Sequence, residues 1–115
     1  MTVERTSPQP GVVMLRLTGA TASASFSRDS MPIIAKAIDE VLNEAEVHAL
    51  VITGEGRFFS AGADIDAFAA SIEAGEAPAL IRDLTGHLHP LLLRMRTSST
   101  ICVAAINGAA AGGGL

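Results

Sequence analysis

At 115 residues the chain has room for one ordinary domain, and a composition that is 49% hydrophobic and 17% charged excludes a disordered protein. The formal net charge of −4 argues against a nucleic-acid surface, which needs clustered Lys and Arg to replace phosphate counterions. The single cysteine, Cys102, excludes an intrachain disulfide framework and favours a reducing, cytoplasmic compartment.

The apolar segments do not suggest membrane insertion or secretion. The longest of them, residues 101–115, contains Asn107 and four glycines and is too short to span a bilayer. The first eleven residues are mostly polar and lack the apolar region of a signal peptide. We therefore expect a soluble protein.

The first half of the chain alternates strand, helix and strand patterns. Residues 12–18 are rich in β-forming side chains, with Val13, Leu15 and Leu17 on one face and Arg16 and Thr18 on the other, which predicts a strand with one exposed face. A helix is predicted from Ser30 to about Ala45, because Pro32 suits a first turn and the apolar residues recur at helical spacing. Residues 47–53 are nearly continuously apolar, which is typical of a strand buried on both faces.

The second half repeats this alternation. After a loop at residues 54–62, a short helix is predicted from Ile65 to Gly75. A longer helix begins at Pro78, with an apolar stripe formed by Ile81, Leu84, Leu88, Leu91, Leu92 and Met95. Residues 101–106 form another apparently buried strand. Strands alternating with helices through short connections indicate an α/β fold with parallel strands and right-handed crossovers.

Two glycine-containing loops, residues 54–64 and 107–114, follow the two buried strands. Ligands of open α/β sheets bind at the carboxyl ends of strands, so both loops occupy the expected position. Their small residues leave backbone N–H groups accessible to an anion or a developing oxyanion. The alternative interpretation is that these glycines only shape turns.

Nucleotide-binding motifs are not matched by either loop. In the first loop, Gly54 and Gly56 are followed by Phe59 where a dinucleotide fingerprint needs a third glycine. In the second, Gly113 is followed by Gly114 and Leu115, whereas a P-loop needs Lys and then Ser or Thr. A nucleotide-binding module is therefore the weakest of the hypotheses.

The amino-acid sequences of the two loops resemble those of a known family. Residues 59–65 read FSAGADI and residues 104–114 read AAINGAAAGGG, which together resemble the two signature loops of the enoyl-CoA hydratase/isomerase (crotonase) superfamily. The resemblance implies the ClpP/crotonase fold, an α/β superhelix of parallel strands and helices. Residues 1–115 would be the N-terminal portion of a single crotonase-fold domain, apparently incomplete at the C-terminus. The assembly usual for the family is a homotrimer or a hexamer formed from two trimers.

The resemblance also implies an activity. Members of this superfamily act on acyl-CoA thioesters through an enolate-like intermediate, here by enoyl-CoA hydration or double-bond isomerisation. They require no cofactor beyond the coenzyme A of the substrate. The oxyanion hole would be formed by the backbone N–H groups of Ala63 and Gly113, where only a small side chain is needed.

Coenzyme A is placed by the same resemblance against residues 61–66. The residues assigned to this contact are Ala61, Ala63, Asp64, Ile65 and Asp66. Arg57 is the nearest positive charge to that segment, and either meets a CoA phosphate or is merely solvated.

The chain departs from the family pattern in two ways. Thr18-Gly19-Ala20 and Ala24-Ser25 stand where many relatives have Asn-Arg-Pro and Asn-Ala, both linked to CoA contacts. The glutamate that acts as general acid or base in hydratases would be the residue following Leu115. The alternative hypothesis is therefore a non-catalytic CoA-ester-binding protein or an inactive fragment.

Other polar residues are better explained without catalysis. Asp64 and Asp66 form a D-x-D pair, but carboxylates at a helix start usually cap N–H groups, and no metal site is expected. His87 and His89 would point to different sides of one helix. His48 and Cys102 lie in predicted strands and are interpreted as a core histidine and an inert core thiol.

Overall fold

A computed structural model describes residues 2–18 and 25–115, apart from the side chain of Thr2. The departures noted at Gly19, Ala20 and Ala24, and most of the loop that contains them, lie outside the described residues. The strands are β1 (Thr2–Gln9), β2 (Val12–Thr18), β3 (Ala49–Thr53), β4 (Phe58–Ser60), β5 (Ile101–Ala105) and β6 (Ala109–Ala110), and the helices are α1 (Ser30–Leu42), α2 (Ile65–Glu73) and α3 (Ala77–Thr97). A 3₁₀ turn, Gly112–Gly114, follows β6.

Four strands form the main sheet in the order β1-β2-β3-β5. Strand β3 is parallel to both β2 and β5, with Ala49 opposite Val12 on one side and Ile101 on the other. Strands β4 and β6 form a separate two-stranded parallel pair. The predicted α/β fold with parallel strands is therefore confirmed.

Strand β1 was not predicted from the sequence. It pairs antiparallel with β2 across a turn in which Gly11 adopts a φ of +78°. Its sequence, TVERTSPQ, contains little apolar patterning because it is an edge strand with mostly exposed side chains. Backbone pairing with β2, and not burial, positions this strand.

The apolar core lies between the sheet and helices α1 and α3. As predicted, β2 directs Val13, Leu15 and Leu17 to one buried face. Helix α1 begins at Ser30 as predicted, where the Ser27 N–H donates to Ser30 Oγ and the Ser30 N–H donates to Ser27 Oγ. The helix ends at Leu42, before the predicted Ala45.

The apolar stripe of α3 is partly shifted from the prediction. Leu80, Leu84 and Leu91 are buried, whereas Ile81 and Leu92 are 41% and 49% exposed. The burial of Leu80 was not predicted, because the neighbouring Ile81 fits the helical spacing equally well. Which row faces inward is decided by the packing of α3 against α1 and α2.

The burial predicted for β5 and for His48 was wrong. Strand β5 is largely exposed, with Ile101 at 66% and Val103 at 45%, because it is the outer strand of the sheet in the described part of the chain. His48 is exposed and is not a core residue. It lies in the segment before β3, where its backbone N–H donates to the Gly11 carbonyl. No helix within residues 2–18 and 25–115 has both the length and the apolar character needed to cross a membrane.

Candidate active site

The two glycine loops are joined by the β4-β6 pair. Phe58 lies opposite Ala109 and Ser60 lies opposite Ala110. The Ala109 N–H donates to the Arg57 carbonyl at 3.0 Å, and the Ala111 N–H donates to the Ser60 carbonyl, also at 3.0 Å. Residues distant in sequence are thereby held side by side at the carboxyl ends of β3 and β5.

Gly62 of the first loop packs closely against Ala111 and Gly113 of the second. Gly62 has a φ of +81°, in the left-handed region that favours glycine. A Cβ atom at Gly62 would lie 2.6 Å from the Ala111 carbonyl oxygen and 3.0 Å from the Gly113 nitrogen. Only glycine allows this contact, which places Ala63 and Gly113 in adjacent segments.

The backbone around Ala63 is fixed by a bridge to Phe26. The Phe26 N–H donates to the Gly62 carbonyl at 2.7 Å, and the Asp64 N–H donates to the Phe26 carbonyl at 2.9 Å. Because N–H groups alternate in direction along extended chain, the Ala63 N–H points away from Phe26. It is therefore directed to the other side of the segment.

Gly113 lies within the 3₁₀ turn. The bonds that close this turn are donated by the N–H groups of Gly114 and Leu115, to the carbonyls of Ala111 and Gly112. The Gly113 N–H belongs to the first turn, whose donors lack a carbonyl within the helix itself. Both predicted oxyanion donors therefore lie outside the hydrogen bonds that define their local structure.

An apolar cleft of about 220 Å³ lies beside Gly113. Phe26 and Leu88 form the near wall, with ring and methyl atoms 3.4 and 3.7 Å from the position of a Cβ on Gly113. Residues of α1, α3 and β5 continue the lining, among them Ile34, Leu91 and Cys102. The cleft supplies the low-dielectric surroundings in which backbone donors act strongly on a developing charge.

Cys102 is half-buried in this cleft and not a core residue as predicted. Burial raises the pKa of its thiol above the ordinary value, because the thiolate is poorly solvated there. A raised pKa keeps the sulfur in the unreactive thiol form at neutral pH. The expectation of low reactivity is thus consistent with its surroundings.

The predicted CoA segment, residues 61–66, forms the connection from β4 to α2. Ala61, Ala63 and Asp64 are half-buried, whereas Ile65 is 73% exposed and Asp66 is exposed. Arg57 lies in the exposed turn before β4. Strand β4 separates it from Ala61 by roughly 13 Å of extended chain, so Arg57 is at the margin of the site.

Asp64 is the N-cap of α2. Its Oδ1 atom accepts hydrogen bonds from the N–H groups of Asp66 and Ala67, at 3.0 and 3.1 Å. This is the capping role expected for the D-x-D pair. Within the described residues, no three His, Cys, Asp or Glu side chains are grouped closely enough to hold a metal ion.

Replacing Asp64 with alanine is expected to lower the free energy of unfolding by about 1 kcal/mol, the usual cost of losing a side-chain cap. Asp29 precedes α1 in the same way but makes no capping hydrogen bond, so Asp29→Ala is the matched control and should change stability much less. Urea denaturation followed by circular dichroism measures both. Equal losses would show that the Asp64 cap contributes nothing specific.

Ser60 and Asn107 are polar site residues that the sequence analysis did not single out. Ser60 is 1% exposed, and its Oγ accepts the Gly62 N–H at 3.2 Å. Asn107 makes side-chain hydrogen bonds to the first glycine loop. Both residues lie within the sequences of the two loops, but their spacing does not indicate which backbone groups they bind.

A sequence model of enoyl-CoA hydratase/isomerase matches residues 7–115 of this chain. The chain belongs to the enoyl-CoA hydratase/isomerase family. A probable enoyl-CoA hydratase of Bacillus subtilis is 36% identical over 104 residues, which are 90% of this chain and 38% of the relative. The 1,2-epoxyphenylacetyl-CoA isomerase of Escherichia coli is 29% identical over 106 residues, 92% of this chain and 40% of that protein.

The crotonase fold of this family member is confirmed by solved structures. An enoyl-CoA hydratase from Polaromonas sp. JS666 superposes with a TM-score of 0.83 at 28% identity, covering 99% of this chain and 43% of that one. This chain thus spans about two fifths of the length of the relatives it matches. The family's named members include both hydratases and an isomerase.

Proposed function

We propose that this chain supplies the thioester-binding part of an enoyl-CoA hydratase or isomerase, with the Ala63 and Gly113 N–H groups forming the oxyanion hole. The observation that carries the proposal is the packing of Gly62 against the Gly113 nitrogen, where a Cβ would approach to 3.0 Å. This contact brings the two predicted donor segments together. Family membership supports the choice of an acyl-CoA ligand.

The chemistry follows from where charge develops. Adding water across an enoyl double bond, or moving that bond, passes through an enolate in which negative charge collects on the thioester oxygen. Two fixed N–H donors beside an apolar cleft stabilise this oxygen more than the ground-state carbonyl. Loss of one such donor typically costs on the order of 10²–10³ in rate.

Proton transfer requires a separate group. The residues of the described chain that line the cleft beside Gly113 include no carboxylate. We assign the general acid/base to a carboxylate at the position that would follow Leu115, with residues 1–115 forming the N-terminal portion of a single crotonase-fold domain. The length of the matched relatives supports this division.

We assign the CoA moiety to residues 61–66. The small side chains of Ala61 and Ala63 leave the backbone open to an extended ligand, and the exposed Ile65 offers an apolar surface to a base ring. The assembly proposed with this site is a homotrimer or hexamer, as the family resemblance implies. A cytoplasmic location is proposed from the single cysteine.

The proposal is tested by recording ¹⁵N–¹H NMR spectra of the labelled chain during titration with crotonyl-CoA and, separately, with free coenzyme A. Both ligands are expected to shift the amide signals of residues 61–66. Only crotonyl-CoA should shift the Gly113 amide strongly, because only the thioester oxygen reaches both donors. The oxyanion assignment is abandoned if Gly113 responds equally to both ligands or to neither.

A second candidate is a non-catalytic binder of CoA esters, which is favoured by the absence of carboxylates among the described residues lining the cleft. Loss of the enoyl absorbance of crotonyl-CoA distinguishes the two when it is measured with protein that extends past Leu115 and so carries the assigned general acid/base. Turnover supports the enzyme. Binding at Ala63 and Gly113 without turnover supports the binder.

A further inference from the structure

Asn107, the second residue after β5, reaches back to the first glycine loop through its side chain. Its Oδ1 accepts the Gly54 N–H at 2.9 Å and lies 3.4 Å from the hydroxyl oxygen of Thr53. Its Nδ2 donates to the carbonyls of Gly56 and Phe58, both at 3.1 Å. Although the residue is exposed, its amide makes contacts on both sides of the turn that leads from β3 to β4.

These bonds add to the antiparallel bridge between Glu55 and Phe58 that the turn makes by itself. Gly54 approaches the Phe58 backbone so closely that a Cβ would lie 2.4 Å from its carbonyl oxygen. The carbonyls of Gly56 and Phe58 are both bound by the Asn107 amide. A single side chain of the second loop therefore fixes the shape of the first.

Strand β4 connects the turn bound by Asn107 to the proposed oxyanion hole. Phe58 begins β4, which ends at Ser60. The Ser60 Oγ accepts the Gly62 N–H at 3.2 Å, immediately before Ala63. On the other side, the Ser60 carbonyl accepts the Ala111 N–H at 3.0 Å, two residues before Gly113.

We propose that Asn107 is a positioning residue that sets the spacing of the Ala63 and Gly113 N–H groups through β4, without contacting the substrate. The inference rests on the proposed function for its catalytic meaning. The geometric part of the proposal rests on the hydrogen bonds alone. It states that Asn107 controls the relative placement of residues 60–63 and Gly113.

Asn107→Asp is the sharpest variant, because it keeps the shape and one acceptor but replaces the donating Nδ2 with an oxygen facing two carbonyls. Asn107→Ala removes the amide without adding charge and serves if the aspartate variant does not fold. Asn43→Asp is the matched control, since Asn43 lies at the end of α1, away from both loops. All are compared by ¹⁵N–¹H NMR and urea denaturation.

In the unliganded protein, either Asn107 variant is expected to shift the amide signals of Gly62, Ala63 and Gly113, whereas Asn43→Asp leaves them in place. A residue that only stabilises its own turn would lower the unfolding midpoint and shift signals of residues 53–58 alone. That pattern would overturn the proposal. The readout needs no ligand, so it remains decisive if the proposed function fails.

With crotonyl-CoA labelled with ¹³C at the thioester carbonyl, infrared difference spectra report polarisation of the C=O bond. The Asn107 variants are expected to lose most of the downshift seen with the wild type, while affinity for free coenzyme A changes less than threefold. Where turnover is measurable, kcat should fall by roughly 10²-fold with a smaller change in KM, as expected for donors misplaced by about an ångström. An unchanged carbonyl frequency would contradict the proposal. A wild type showing no downshift would instead contradict the oxyanion hole itself.

Discussion

Replacing Gly62 with alanine is expected to destabilise the protein and to abolish the response of the Gly113 amide to crotonyl-CoA. The positive φ of +81° alone costs an L-residue roughly 1–2 kcal/mol. The added Cβ would also stand 2.6 Å from the Ala111 carbonyl oxygen, so the two loops must separate. Such overpacking adds roughly 1–3 kcal/mol. Urea denaturation and the NMR titration measure the two effects.

Gly75, in the turn between α2 and α3, provides a matched control for this substitution. It has a similar φ of +71°, but a Cβ there meets nothing within 4 Å. Gly75→Ala should therefore show only the conformational cost of roughly 1–2 kcal/mol and leave the Gly113 response intact. If the two variants behave alike, the close approach of the loops at Gly62 is not what maintains the site.

Replacing Leu50 with alanine is expected to lower the free energy of unfolding by about 2–5 kcal/mol, the range for truncating a fully buried leucine. Leu50 is 0% exposed and lies in β3, between Val13 of β2 and Cys102 of β5. A cavity at this position loosens the strand from which the first glycine loop departs. Urea denaturation followed by circular dichroism gives the change in free energy.

Ile101 is the comparison residue for this experiment. It lies on the neighbouring strand opposite Ala49, but 66% of it is exposed. Because most of the Ile101 side chain is exposed, Ile101→Ala removes little buried apolar surface. We expect the free energy of unfolding to fall by roughly 0.5 kcal/mol or less. A loss comparable to that of Leu50→Ala would mean that the exposed face of β5 is covered in solution.

The site also explains why glycines stand where the two loops meet. Gly108 and Gly114, like Gly62, pack against backbone, since a Cβ on them would lie 2.3 Å from the Arg57 oxygen and 2.4 Å from the Ser60 oxygen. Two extended segments can come this close only where side chains are absent. The glycines therefore do more than shape turns: they allow the backbones of the two loops to pack closely against each other.

Several features were predictable from sequence because they depend on local chemistry. The buried face of β2 follows from strand periodicity, and the Ser30 start of α1 follows from the tolerance of proline in a first turn. The two loop strings indicated the family because their small residues are required by close backbone contact. The Asp64 cap was likewise readable, since a carboxylate before a helix binds the helix's own N–H groups.

Other features depended on neighbours that the sequence does not indicate. Strand β1 forms because β2 offers it an edge, and polar residues alone do not predict that pairing. The burial of Leu80 instead of Ile81 was set by where α3 packs. The exposure of Val103 was set by the place of β5 at the outside of the sheet. Apolar character permits burial, but strand order and helix packing decide which apolar residues are covered.

The sequence by itself determined the α/β class, the family and the two segments that carry the candidate donors, because each is encoded in short runs of residues. Only the tertiary structure decided how these segments meet. The contact of Gly62 with Gly113 and the bonds from Asn107 to Gly56 and Phe58 join residues some fifty positions apart. No local sequence pattern specifies a contact between residues so far apart in the chain. The contacts form because the parallel strands β3 and β5 bring their carboxyl ends to the same edge of the sheet.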